Sequence, residues 1–245
     1  IRCLFRTASL FNIRESFKWI DLASNLLDIE LDKQVLNDGM HFELSPSYHI
    51  NVMEDLLCIH RSIKTLIQFF PNNKINKLIK KLKTKLFLMS FPLIKMTHPD
   101  GFPSLFADGG MNMSTRPSKI IDILINESII TEEYYKSIDL SFNWSLDNAG
   151  YYGLSNNTSL FIIDCGEVCA HNLPAHGQGD GLSIEWSFNN KRFIIDPGVY
   201  EYHSGKRRDY SRSSFAHNTI TLNNLDQSEF WSSFKVGRRA KINVE

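Results

Sequence analysis

The chain has 245 residues, with 27 basic and 27 acidic side chains and a formal net charge of zero. That length suits one large domain or two ordinary ones, each long enough to bury an apolar core. The balanced charge and globular composition point to no nucleic-acid partner. We expect no membrane-spanning segment, because no run of about eighteen apolar residues occurs.

The amino-terminal residues I-R-C-L-F lack an initiator methionine and have the pattern of a helix interior. We therefore expect the chain to be a piece of a longer protein, without a signal peptide of its own. Its four cysteines form no paired metal-binding pattern, so we predict free thiols.

The first part of the chain has the periodicity of helices. Apolar residues recur at helical spacing after Phe17 and again after Leu56. Ser45 followed by Pro46 is typical of a helix start, with proline at the first helical position. A third helix is predicted around Leu82, with apolar side chains on one face and lysines on the other.

No acidic residue occurs between Leu56 and Thr97, although several lysines do. A basic helix face attracts polyanionic sugars through long-range electrostatics. A solvated face with no ligand is the commoner explanation of such a run. The sequence leaves both interpretations open.

Residues 97–117 are dense in turn formers and include the sequence Asp-Gly-Gly at Asp108. A short helix is predicted over residues 118–130. From about Ser141 the pattern changes to short apolar or alternating runs separated by turns. We predict strands over residues 151–154, 159–164, 182–188, 192–195 and 218–222.

This order predicts an α+β protein of two domains, a helical array over residues 1–110 and an antiparallel β-sandwich over residues 111–245. Residues 177–181 are glycine-rich, but they are not a phosphate-binding loop placed between a strand and a helix.

Three polar motifs stand out in the second half. They are H-G-Q-G-D-G-L-S from His176, D-P-G from Asp196 and R-S-S-F-A-H-N-T from Arg212. Bare glycine backbone between polar residues allows their side chains to converge. The simpler interpretation is a hairpin turn whose histidines satisfy backbone groups.

Together these motifs resemble the C-terminal domain of heparinase II/III-like polysaccharide lyases, whose pattern is H-x-H-x-D, then D-P/S-G, then A-H-N-T. In the first half, D-G-M-H-F-E-L-S-P-S-Y-H over residues 38–49 resembles the family's D-G-x-x-x-E-x-S-P-x-Y-H. Gln178 is a departure, because most members carry a second histidine there. The resemblance implies an incomplete α/α toroid followed by a β-sandwich.

The resemblance also implies an enzyme that cleaves a uronate-containing polysaccharide by β-elimination in the periplasm or cell envelope. Histidine and tyrosine suit the required proton transfers. We assign Tyr48 as general acid, with base as a second role, and His176 as base or charge stabiliser. The family's carboxylate-binding Asn would precede residue 1.

Further roles follow from the same resemblance. Candidate substrate-binding residues are Arg212, Tyr200, Tyr202 and His49, although Arg212 equally suits a role in fixing the loop before His217. Candidate ligands of a structural zinc or calcium are Gln178, Asp196 and His217. The alternative function is a glycan-binding or cell-envelope polysaccharide assembly protein that keeps the fold without catalysis.

Overall fold

The computed structural model describes residues 1–11, 13–70, 72–139 and 142–245. Within them the helices are α1 (Arg2–Leu10), α2 (Ser16–Gln34), α3 (Pro46–Phe69), α4 (Asn73–Lys95), α5 (Pro117–Asn126), α6 (Glu132–Asp139) and α7 (Lys206–Arg212). The strands are β1 (Asn143–Leu146), β2 (Tyr151–Asn156), β3 (Ser159–Asp164), β4 (Ile184–Phe188), β5 (Lys191–Ile194), β6 (Phe230–Trp231) and β7 (Lys235–Val236).

The predicted helices are confirmed by α2, α3 and α4. Helix α3 begins at Pro46 directly after Ser45, as expected for proline at the first helical position. The side chain of Asn72 caps α4 by accepting a hydrogen bond from the backbone N–H of Lys74 at 2.8 Å. The apolar faces of these helices form one buried core.

Helices α5 and α6 belong to this helical layer. Ile120, Leu124 and Ile138 are buried in the same core as the residues of α2 to α4. The predicted division at residue 110 stays a prediction, and these apolar side chains beyond it pack into the core formed by the helices before it. Ser141, where the change of periodicity was placed, lies outside the described residues.

Three lysines of α4, Lys74, Lys81 and Lys85, are paired with acidic residues of α2. Lys81 Nζ lies 2.7 Å from carboxylate oxygens of both Asp28 and Asp32, and Lys74 pairs with Asp21. At these positions the basic face is neutralised within the protein, which favours the structural interpretation over a sugar-binding face.

A five-stranded antiparallel sheet follows, in the order β1-β2-β3-β4-β5. It confirms the strands predicted between residues 151 and 195. The strand predicted over residues 218–222 is wrong. There the side-chain Nδ2 of Asn218 donates to the carbonyls of Ile184 and Ile195. The carbonyls at the ends of β4 and β5 are thus bound by a side chain and not by a backbone strand. Helix α7 was not predicted.

The sheet packs directly on the helical layer. Met40 and Phe106 share a buried cluster with Tyr151 and Ile162 of the sheet. The Tyr151 hydroxyl donates to the carbonyl of Leu44 at 2.6 Å. This arrangement confirms the predicted fold class, part of an α/α toroid followed by an antiparallel β-sandwich domain. None of the helices in the described ranges is both long and apolar enough to cross a membrane.

Glu185 of β4 joins the linker, residues 97–116, to the sheet. Its Oε2 lies 2.7 Å from His98 Nε2, and its Oε1 accepts from the backbone N–H groups of Leu105 and Asp196 at 3.2 and 3.1 Å. The side chains of His98 and Glu185 are both fully buried. Loss of this carboxylate would leave several buried donors without an acceptor.

We expect Glu185→Ala to lower the free energy of unfolding by about 3–5 kcal/mol, because a buried polar partner is removed. Glu132→Ala is the matched control, since Glu132 pairs with Lys136 on an exposed helix face. It should change stability by less than about 0.5 kcal/mol. Chemical denaturation measures both, and equal effects of the two substitutions would contradict the buried role of Glu185.

Candidate active site

Tyr48 lies in the first turn of α3, beside the linker. The preceding residue, Ser47, is buried, and its Oγ accepts a hydrogen bond from the Gly110 N–H at 3.1 Å. The Tyr48 side chain is half-buried. The fold therefore fixes the helix start that carries Tyr48 while leaving its side chain partly accessible.

The structure brings Tyr48 together with His176 and Tyr202, which lie more than a hundred residues away in sequence. The ring centroids of Tyr48 and His176 are 3.9 Å apart, with an angle of 31° between the planes. The hydroxyl oxygens of Tyr48 and Tyr202 are 3.0 Å apart. The helical and sheet domains thus each contribute to one cluster.

His176 lies between two carboxylates. Its Nε2 is 3.0 Å from Glu43 Oε2, and its Nδ1 is 3.3 Å from Asp108 Oδ2. Burial lowers the pKa of His176, but the hydrogen bonds to Asp108 and Glu43 outweigh it and raise the pKa to about 9. The ring is therefore an imidazolium at neutral pH, with both nitrogens donating.

Tyr202 is a neutral hydrogen-bond partner for Tyr48. Burial, together with the hydrogen bond to Tyr48, raises the pKa of Tyr202 well above its ordinary value. Its ring stacks on Phe234 at a centroid distance of 6.1 Å and lies 5.3 Å from the Arg208 guanidinium carbon. The Tyr202 hydroxyl keeps its proton and can donate it toward the Tyr48 oxygen.

Asp108, Glu43 and Arg208 are site residues that sequence reasoning missed. Asp108 is fully buried. Its carboxylate accepts hydrogen bonds from Nη1 and Nη2 of the equally buried Arg208, at 2.5 and 2.9 Å. In the sequence, Asp108 has only the pattern of a turn former before two glycines. Glu43 stands at the glutamate of the resembled loop motif, which was a usable signal, whereas Arg208 carried none.

Comparison with known proteins agrees with this geometry. The family model described as Heparinase II/III N-terminus matches residues 2–120, and the model described as Heparinase II/III-like, C-terminal, matches residues 141–245. The chain belongs to the heparinase II/III-like family. The first model ends within α5, and the second begins beyond α6.

The chain is similar to a heparin-sulfate lyase of Pedobacter heparinus, 27% identical over 239 residues, covering 91% of this chain and 35% of the relative. A heparin-sulfate lyase of Bacteroides stercoris is 25% identical over 248 residues, covering 93% and 35%. The chain thus spans about a third of the length of these curated relatives. A crystal structure titled heparinase III superposes with a TM-score of 0.76 at 20% identity, covering 98% of this chain and 39% of that one, and shows a shared fold.

Two of the predicted substrate-binding residues are buried. Arg212 is buried and donates to the carbonyls of Gly177, Ser232 and Lys235, so it fixes loops, the alternative left open by the sequence. His49 is also buried. Its Nδ1 accepts from the His41 N–H and its Nε2 donates to the Met89 carbonyl, so no ring nitrogen is left for a sugar.

Tyr200 is exposed, in contrast to Tyr202. Its ring is 68% accessible and lies 5.3 Å from the guanidinium carbon of Arg207, whose Nη1 donates to the Tyr200 hydroxyl at 3.3 Å. An exposed aromatic ring beside a cation suits contact with an acidic sugar. Its predicted role in substrate binding stays a prediction.

The three predicted metal ligands are hydrogen-bonded within the protein. His217 Nε2 lies 3.0 Å from the Ser211 carbonyl oxygen, and its Nδ1 lies 2.8 Å from Asp196 Oδ2. Gln178 Nε2 donates to Asp108 instead, and its Oε1 is buried without a hydrogen-bond partner in the described structure. In the part of the chain that the structure describes, no three His, Cys, Asp or Glu side chains are grouped to hold a metal ion.

A structural metal at Gln178, Asp196 and His217 stays a prediction, and none of the chemical steps proposed below involves it. Metal analysis of the dialysed protein and a thermal melt with and without chelator test it. Retained stoichiometric metal together with a melting temperature lowered by chelator would support the site. An unchanged melting temperature in metal-free protein would contradict it.

The charge of His176 gives a pH dependence with a definite sign. The pKa of His176 is about 9 in the folded protein, against an ordinary 6.5. Protonation therefore stabilises the fold fully below about pH 6.5, and this contribution is lost as the pH rises through about 9. We expect the difference in unfolding free energy between wild type and His176→Gln to shrink over that window. Denaturation at several pH values measures it.

Glu43→Gln is the companion variant, because it removes one of the two carboxylates that hold the imidazolium. We expect it to lower the pKa of His176, as followed by NMR of the histidine ring. An unchanged pKa would show that Glu43 does not hold the charge.

Proposed function

We propose that the protein acts as a polysaccharide lyase that cleaves an acidic, uronate-containing glycan by β-elimination. The observation that carries the proposal is the Tyr48 hydroxyl, which lies 3.0 Å from the Tyr202 hydroxyl while its ring stacks against the imidazolium of His176. A tyrosine placed in this way can exchange a proton with a bound sugar. Similarity to two heparin-sulfate lyases supports the same class of reaction.

The reaction needs few groups. A base removes the C5 proton of the uronate, the electron pair forms a C4=C5 double bond, and the C4–O bond breaks. The departing oxygen takes up a proton. The acidity of C5–H depends on neutralising the neighbouring sugar carboxylate, so a cation or hydrogen-bond donor must face that carboxylate.

Of the two roles predicted for His176, base and charge stabiliser, the geometry supports the second. Each of its ring nitrogens lies beside a carboxylate that accepts from it. We assign it the role of charge stabiliser, with its positive ring against the face of Tyr48. A phenolate formed at Tyr48 is stabilised by this imidazolium and by the hydrogen bond from Tyr202.

Tyr48 is then the proton-transfer group of the cluster. Tyr48 first releases its own proton to solvent. The phenolate then takes the C5 proton, and the resulting phenol returns that proton to the departing O4 of the same sugar linkage. General acid–base catalysis of this kind contributes on the order of 10²- to 10⁴-fold to the rate. The Tyr202 hydroxyl, 3.0 Å away, can donate to the Tyr48 oxygen and hold it in place.

The substrate class follows from the reaction, which requires a uronic acid in the polymer. We propose a glycosaminoglycan-like uronate polymer, with Tyr200 and Arg207 contacting acidic groups at the rim. For a protein of this class we further propose a periplasmic or cell-envelope location.

In the decisive experiment, heparan sulfate, hyaluronan and alginate are each incubated with the full-length protein. The ultraviolet absorbance of the C4=C5 double bond is followed. We expect an unsaturated product from at least one polymer. Measurable glycan binding without such a product would instead support the non-catalytic glycan-binding alternative, and saturated products would indicate a hydrolase.

Tyr48→Phe should lower kcat by at least about 100-fold, because it removes the hydroxyl that transfers the proton while keeping the ring. Tyr210→Phe is the matched control. Tyr210 is 61% exposed on α7, and its hydroxyl only donates to the Phe215 carbonyl at 3.4 Å. Equal activity of Tyr48→Phe and wild type would refute the assignment of Tyr48.

A further inference from the structure

The linker turn, defined here as residues 108–110, contacts each part of the candidate active site. The Gly110 N–H donates to Ser47, the residue before Tyr48. The Gly109 carbonyl accepts from the Val199 N–H at 2.9 Å, in the segment that leads to Tyr202. Three residues therefore join the start of α3 to the loop that follows β5.

Close backbone approach makes the contact between the linker turn and that loop specific. Gly198 has a φ of +61°, and a Cβ at this position would lie 2.2 Å from the Gly109 carbonyl oxygen. A side chain could not be accommodated there without moving the backbone. The Asp-Pro-Gly motif is thus explained by packing against the linker turn.

Asp108 is the member of the linker turn that reaches His176. Its Oδ1 accepts from Arg208 Nη1 and from Gln178 Nε2 at 2.5 and 2.7 Å. Its Oδ2 accepts from Arg208 Nη2 at 2.9 Å and lies 3.3 Å from His176 Nδ1. Arg208 and Gln178 therefore fix the carboxylate, and the fixed carboxylate sets the plane of the His176 ring.

Asp108 cannot touch a glycan, because it is fully buried. Any effect on catalysis must pass through another group. His176 is such a group, since Asp108 lies beside its Nδ1 and its ring face meets Tyr48. Arg208 is also fully buried, and its Nε and Nη2 donate to the Ser233 carbonyl at 3.1 and 2.9 Å. The Ser233 carbonyl therefore holds Arg208 in place as well.

We propose that Asp108 is a positioning residue that acts through His176 and holds its ring against Tyr48. The inference rests on the proposed lyase function. The linker turn sets the distance between the two domains at the site, and Asp108 sets the orientation of the group that both domains share. Nothing in the sequence motif of the His176 loop identifies this partner.

The test is a double-mutant cycle on the full-length protein, with kcat and KM measured separately for the unsaturated product. We expect Asp108→Asn to lower kcat by about 10- to 100-fold, with KM changed less than about threefold. In a His176→Ala background the same substitution should lower kcat by less than about twofold, because the group through which it acts is gone. Equal losses in both backgrounds would overturn the proposal.

Asp100→Asn is the matched control. Asp100 is another linker aspartate that pairs with an arginine of the sheet domain, since Arg192 Nε donates to its Oδ2 at 2.8 Å, but it lies outside the cluster of Tyr48, His176 and Tyr202. It should leave kcat unchanged. A comparable loss of kcat in both variants would show that any linker ion pair matters equally, against the proposal.

Asp108→Glu covers the case in which Asp108→Asn does not fold. It keeps the charge opposite Arg208 but moves the carboxylate by one methylene, so we expect kcat to fall while the protein remains folded. Wild-type kcat in Asp108→Glu would overturn the proposal.

Failure of the proposed function is recognised separately, because the wild-type protein would then give no unsaturated product. In that case crystal structures of wild type and Asp108→Glu decide the positioning role. We expect the His176 ring to leave its 3.9 Å contact with Tyr48 in the variant. An unchanged ring position would overturn the inference whatever reaction the protein catalyses.

Discussion

The candidate active site depends on a row of four alternating charges, Arg208, Asp108, His176 and Glu43. Their side chains are at most 16% exposed, and each charge lies beside one of opposite sign. Charges removed from water need such neighbours, since an unpaired buried charge is strongly destabilising. The row passes from the sheet domain through the linker to the helical layer, so the same contacts order the site and join the two domains.

The charge row also determines what the aromatic groups can do. Its imidazolium lies against one face of Tyr48, and Tyr202 reaches the Tyr48 oxygen from another direction. A phenolate at that oxygen would meet a cation and a neutral donor, while the carboxylates stay bound to their own partners. This arrangement is what the proposed role of Tyr48 in proton transfer requires.

Helix α7 shows how a short element can serve two parts of this framework. Arg208 and Arg212 lie one turn apart and both are buried. Arg208 binds the carboxylate of Asp108, whereas Arg212 holds three loop carbonyls together, including that of Gly177 beside His176. Both arginines use their planar, multiple donors, which a lysine could not replace. The loop of His176 is therefore fixed from two sides by one helix.

The sequence by itself determined the helical array and most of the strands, and its motifs singled out Tyr48 and His176 as candidate site residues. Periodicity and motif order are properties of the chain itself, so they are visible without a three-dimensional structure. It could not decide the surroundings of Arg212 and His49, because a polar side chain in a motif does not reveal which carbonyls surround it. Only the tertiary structure assigned Asp108 and Arg208, which are 100 residues apart and meet through the linker. The charge of His176 was likewise decided there, since it depends on carboxylates from two distant segments converging on one ring.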